Sequence, residues 1–171
     1  NPVNDARAIA AELKSSGFEV NVQFDAGRDA MVNAIEAYGR QLASRKAVGL
    51  FYFAGHGAQL AWRNYLVPVD AVIKSMDDVP ARAVELNTLL QGLTRAKNPM
   101  NVIVLDACRD NPFGKGLPTE QKGLSQFDAP PEVAERLVEL LLAGHDLRHI
   151  ELAADAVRRF EQRHAMAAFR G

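Results

Sequence analysis

A single cysteine, Cys108, leaves the chain without an intrachain disulfide and excludes a small secreted scaffold stapled by such bridges. An excess of either charge is also missing. Twenty Lys and Arg against 21 Asp and Glu leave a net charge of −1, so the composition offers no basic surface for nucleic acid and no cationic face for a membrane. No apolar run approaches the roughly 18 residues of a membrane-crossing helix. The residues after Asn1 do not read as a signal peptide, and a cytoplasmic protein is expected. Repeats and low-complexity tracts are absent too. What is present is a 171-residue chain, 48% hydrophobic, long enough for one good core and a small appendage.

Its organisation follows from two stretches, VGLFYFAGHG at 48–57 and NVIVLDACRDN at 101–111. Each is a short run of β-branched and aromatic residues ending at a reactive side chain, His56 in the first and Cys108 in the second. Apolar runs of this length suit strands buried on both faces of a parallel sheet. Chemistry in such sheets gathers at the carboxyl ends of the strands, where two neighbours could bring His56 and Cys108 together. A thiolate is the nucleophile, and a nearby imidazole can take the thiol proton. An isolated cysteine at a strand end is more often a structural one. Here Asp106 precedes it and Arg109, Asp110 and Asn111 follow, a polar setting that favours chemistry.

The rest alternates helix and strand. Residues 4–16 read as a helix with Ala6, Ile9, Ala10 and Leu13 on one face, Asn4 as its cap and Gly17 as its stop. Residues 18–24 alternate apolar and polar, the pattern of a strand with one buried face. Met31, Ile35, Tyr38 and Leu42 mark a second helix over 29–43. Gly55 and Gly57, flanking His56, suggest a break where the backbone turns tightly and substrate approaches closely. Residues 65–67 read as a short strand stopped by Pro68, with a polar loop to Pro80. Leu86, Leu89, Leu90 and Leu93 mark a third helix. Residues 114–131, rich in Gly and Pro, read as a long exposed loop. Beyond Pro131, residues 132–143 and a segment capped by Asp146 read as a helical pair. The economical architecture is a parallel α/β sandwich.

FYFAGHG at 51–57, YLVPVDA at 65–71 and VIVLDACRDNPF at 102–113, preceded by NPVNDARAIAAELKSSGFEV at 1–20, resemble the caspase-like cysteine peptidases, in the branch of bacterial caspase homologues, metacaspases and paracaspases. The resemblance covers most of residues 1–127. It implies a caspase-type α/β/α sandwich with a mostly parallel sheet over 1–130, followed by a helical hairpin or tail over 131–171. It also implies that the family's first apolar strand, central in the sheet, is not among these residues, and that the late strand after residues 128–130 is replaced by helices. A partner chain or regulatory domain completing the sheet is then an expected partner, beside a protein or peptide substrate.

The activity implied is peptide-bond hydrolysis through a thioester, with Cys108 as nucleophile, His56 as general acid and base, and the backbone N–H groups of Gly57 and Cys108 as the oxyanion hole. Asp106 and Asp5 match positions where the relatives place acidic walls of the primary specificity pocket, which implies cleavage after Arg or Lys. Lys115 and Lys122 in the long loop are then candidate self-cleavage sites. No obligatory cofactor or metal is expected. Asp77 and Asp78 could join a calcium site, but two adjacent acids fall far short of the 6–8 oxygen ligands calcium takes, and His145 and His149 share helical spacing without completing a ligand set. Trp62 and Tyr65 either line the substrate groove or pack. The opposing reading is a catalytically inactive caspase-like interaction module. A third, a cysteine acyltransferase or other thiol hydrolase, keeps the dyad without needing Asp5 and Asp106 as a cation-binding pair.

Overall fold

The structure, a computed structural model, describes residues 2–108, 124, 129–135, 137–142 and 155. In chain order the elements are α1 (Pro2–Ser15), α2 (Arg28–Arg45), β1 (Gly49–Leu60), β2 (Arg63–Val67), a 3₁₀ turn (Met76–Asp78), α3 (Val79–Arg82), β3 (Val84–Glu85), α4 (Asn87–Ala96), β4 (Asn101–Cys108), α5 (Pro131–Ala134) and β5 (Leu137–Leu142). The strands form one sheet in the order β3-β2-β1-β4-β5. β1, β4 and β5 run parallel, whereas β2 and β3 are antiparallel to their neighbours. The sheet is therefore mixed rather than mostly parallel, because the chain after β1 turns straight back at Ala61 and Trp62. Both have positive φ, as a two-residue hairpin turn demands.

Helices cover both faces. Along β4, Ile103 and Leu105 join the cluster under α2 and α4, with Ile35, Leu42, Leu89 and Leu93. Val102 and Val104 point the other way and pack with Ile9 and Leu13 of α1. The two-residue period of a strand makes this division, so every other residue of both reactive strands belongs to the α1 face. All four central residues of β4, 102–105, are at most 1% exposed, which explains why its sequence reads as a continuous apolar run.

The register of β1 on β4 is set at its base. Asn98, fully buried, donates from Nδ2 to the carbonyls of Ala47 and Met100 and to Asn101 Oδ1, while Asn101 Nδ2 donates back to Asn98 Oδ1. The Gly49 amide donates to Met100 O, and any side chain at Gly49 would overlap Tyr38, Leu42 and Asn101. These contacts align Gly49 with Asn101, and the ladder carries that alignment up to His56 opposite Cys108. A slip of one residue would turn every side chain to the wrong face. Asn98→Ala leaves the Asn101 amide and the Ala47 carbonyl without this buried partner and is expected to cost about 2–3 kcal/mol, read as a lower urea midpoint with an unchanged slope.

Several expectations need correcting. Asn4 lies inside α1 rather than capping it, although Gly17, at φ +89°, does follow its end. Residues 18–24 form no strand, and none pairs with them among the described residues. β1 does not break at His56; it continues to Leu60, and Gly57 serves close packing, since a Cβ there would overlap Leu124. Pro80 opens a short helix instead of ending a loop. The helix expected over 132–143 is one turn, Pro131–Ala134, followed by β5 parallel to β4, so the late strand thought to be missing is present. LVELLL is short and almost wholly apolar, and periodicity cannot separate a buried strand from a buried helix at that length. The predicted long loop, apart from Leu124 and residues 129–131, and the segment from Asp146, with His145 and His149 beside it, lie outside the described residues except for Asp155.

Among the described residues, part of one edge of β1 has no strand partner. β1 pairs with β4 along Gly49 to His56, but with β2 only from His56 onward. The other edge of the seven residues from Gly49 to Gly55 thus has no strand neighbour among the described residues. A cavity of about 1270 Å³ is lined by this stretch together with residues 18–24, Ile9, Leu13, Ile35 and Tyr38. The Tyr38 hydroxyl is buried there without a hydrogen-bond partner.

Candidate active site

His56 stands exposed near the carboxyl end of the parallel part of β1, in register with Cys108, the last residue of β4. Adjacent strands lie about 4.8 Å apart, so the ladder alone makes these two residues immediate neighbours across 52 residues of sequence. By strand periodicity His56 shares the face of Leu50 and Tyr52, the side α1 covers.

On that face, Tyr52 Oη donates to Asp106 Oδ2 at 3.2 Å. Asp5, half-buried in the first turn of α1, supplies a second carboxylate near the same phenol. Burial chiefly, then the negative charge of Asp106 and its hydrogen bond, then Asp5, hold the Tyr52 hydroxyl far above its ordinary range. The phenol therefore remains a donor throughout the pH range of a folded protein. The structure thus gathers Asp5 and Asp106, 101 residues apart in sequence, around one side chain.

The other predicted residues are placed as follows. Gly57 is buried under Leu124. Lys115 and Lys122 lie outside the described residues. Tyr65 is buried in a cluster with Val79 and Ala83, so it packs, whereas Trp62 is 81% exposed at the hairpin tip and does not. Asp78 is engaged locally, since its Oδ2 accepts from the Lys74 and Ser75 amides and from Ser75 Oγ, which lowers its pKa. Among the described residues no three His, Cys, Asp or Glu side chains group as metal ligands, and no helix is long and apolar enough to cross a membrane.

Two contributors escaped the sequence reading. Tyr52 was legible only as a strand residue, although aligning the motifs on His56 and Cys108 sets it diagonally across from Asp106. Asp70, in YLVPVDA, is structural, for its Oδ1 accepts from the Arg28 amide at 2.9 Å and ties the loop after β2 to the start of α2.

Over 108 residues, 63% of this chain, the sequence is 27% identical to the mucosa-associated lymphoid tissue lymphoma translocation protein 1 homolog of Mus musculus and equally to its Homo sapiens counterpart. The matched stretch amounts to 12% and 13% of those proteins, so the chain spans about an eighth of their length. The family model of the caspase domain, Peptidase_C14, matches residues 1–166. With that match spanning almost the entire sequence, the chain belongs to the caspase domain family.

Proposed function

We propose that the protein is a cysteine endopeptidase that cleaves after Arg or Lys. The observation that carries this reading is the parallel register of His56 with Cys108 at the carboxyl ends of adjacent central strands. In the proposed reaction the Cys108 thiolate attacks the scissile carbonyl carbon, and His56 holds the thiol proton. The tetrahedral oxyanion would be met by the backbone N–H groups of Gly57 and Cys108. Collapse breaks the C–N bond as His56 returns the proton to the leaving amine, leaving a thioester. Water, deprotonated by His56, then releases the carboxylate product and regenerates the thiol.

Asp5 and Asp106 support the basic specificity, because two carboxylates beside one phenol form a site for a guanidinium or ammonium. The test is a panel of fluorogenic peptides differing only in the residue before the cut, with Cys108→Ala as control. Cleavage after Arg and Lys is expected, with loss of all turnover in Cys108→Ala; reversing both charges, Asp5→Lys with Asp106→Lys, should remove it for basic peptides. Cleavage after Asp would sink the pocket assignment and keep the peptidase. N-terminal sequencing of the same preparations reports whether Lys115 and Lys122 are cut in a Cys108-dependent way.

The alternative, a catalytically inactive caspase-like interaction module, draws on the open edge of β1, which suits a chain that engages another segment. Silence across the panel under all conditions, with retained folding, would favour it.

A further inference from the structure

We propose that Phe24 and Val69 form an apolar subsite for the residues that follow the cut, selecting a large aliphatic or aromatic side chain at the first or second position on the leaving-amine side. The inference rests on the cysteine endopeptidase reading proposed above and adds to it a preference beyond the scissile bond.

The direction of the reaction places this subsite. His56 returns the proton to the leaving amine, so the departing nitrogen lies on the His56 side of the carbon held by Cys108. Continuing that way across the sheet, from β4 over β1, the next strand is β2. Its last residue, Val67, is the register partner of His56, and a tight turn follows at once, closed by the Ala71 amide donating to the Pro68 carbonyl. Val69 is the second residue of that turn. Two peptide steps from Val67 span at most about 7 Å, so Val69 stays close to His56, and both line the cavity that Phe24 also lines.

What the chain presents there is apolar against expectation. Turn tips favour Asn, Asp, Ser and Gly, yet Val69 is 66% exposed, and Phe24, at the end of residues 18–24, is 42% exposed. Four large hydrophobic side chains are exposed among the described residues: Phe24, Val69 and Val72 lie on the loop after β2 or on the segment tied to it, and only Trp62 lies elsewhere. Exposed apolar surface gathered in one place marks a contact site, whereas scattered single residues do not. The two segments are also fixed to each other and to α1. The Val69 amide donates to the Ala26 carbonyl, the Arg28 amide donates to Asp70 Oδ1, and the Arg7 guanidinium lies over the Phe24 ring, 5.1 Å from its centroid. A substrate side chain therefore meets a wall already in place, with no loop left to order.

Internally quenched peptides test this. Each carries before the cut the residue that the fluorogenic panel favours, and either Leu or Ser at the two positions after it. Wild-type protein should cleave the Leu peptide with a kcat/KM about tenfold above that of the Ser peptide, the lower end of what a hydrophobic contact discriminates. In the double variant Phe24→Ser with Val69→Ser, that ratio should fall below about twofold. A wild-type ratio near one, or a ratio that the double variant retains, would overturn the subsite and leave the peptidase reading intact.

A second measurement does not depend on turnover. In Cys108→Ala protein carrying ¹³C-methyl-labelled valine, the Val69 methyl resonances are assigned by their loss in Val69→Ala. They should move saturably on titration with Leu-Leu amide, a mimic of the departing product, and stay in place with Ser-Ser amide. No movement, or the same movement with both, would overturn the proposal. Wild-type protein silent on every peptide, together with a Val69 response to Leu-Leu amide alone, would remove the peptidase reading and keep the apolar site.

Discussion

Replacing His56 by alanine is expected to lower kcat/KM on basic peptides by about three orders of magnitude, within the span general acid and base catalysis contributes, while the melting temperature moves by less than about 2 °C. The two halves of this expectation have different origins. His56 is exposed and has no described hydrogen bond, ion pair or ring contact, so its removal opens no cavity and strands no buried partner. The expected loss of activity comes wholly from its address beside Cys108. The double variant His56→Ala with Cys108→Ala should be no slower than Cys108→Ala alone, because groups that act as one unit are not additive. Steady-state kinetics of the three variants, with thermal melts of each, decide the matter. A His56→Ala enzyme retaining more than a tenth of its activity would remove His56 from the reaction. A large fall in melting temperature would instead mean that the residue holds the strand end in place.

How far this site could be read beforehand depended on what kind of contact each residue makes. The register of His56 with Cys108 was legible because strand ends advertise themselves, as apolar runs stopped by polar residues, and because parallel neighbours align their carboxyl ends. The core was legible for the same reason: Ile9, Leu13, Ile35 and Leu42 recur at helical spacing, and all are buried. What escaped were features that periodicity does not encode. LVELLL carries too few residues to separate a strand from a helix, and it became β5 because β4 presents an edge to it. The hairpin to β2 turns at Ala61 and Trp62, residues with none of the Gly or Asn signature that positive φ favours. The bond from Asn98 to the Ala47 carbonyl and the Tyr52–Asp106 bond are tertiary: each is one polar side chain finding a partner across a fold that other residues make. Residues 18–24 show the opposite failure. Their alternation is that of a strand, yet a pattern cannot supply the neighbour a strand needs.

That missing neighbour leads to the second large effect. A seven-residue Val- and Ile-rich segment fused ahead of Asn1 through a short turn is expected to raise the melting temperature by roughly 10 °C. Residues 49–55 of β1, which have no strand neighbour on one side among the described residues, line one cavity with residues 18–24, so a single strand placed in it would give β1 a second ladder. It would need apolar side chains on both faces, because Ile9 and Leu13 line one side and Ile35 and Tyr38 the other. The connections fit a parallel strand leading into α1. From residues 18–24 the chain crosses by α2 to β1 over one face, passing the cavity. A strand there would step by α1 to 18–24 in the reverse direction over the opposite face, and reversing both direction and face preserves the hand of the crossover. Burying an aliphatic side chain contributes about 2 kcal/mol against about 1.5 kcal/mol to order each residue. Over seven residues the net is about 3–4 kcal/mol, which for a domain of this size corresponds to the stated shift. Hydrogen exchange at the amides of residues 50–54 that face the cavity should slow by at least a hundredfold in the fused protein. A control segment with Lys at every second position should do neither, since it would bury charge on one face. Equal stabilisation by the same apolar peptide added unlinked would assign the position to a strand supplied by another chain. No protection from either source would mean that the cavity is closed in solution by rearrangement of α1 against β1, and that the open edge is not an acceptor.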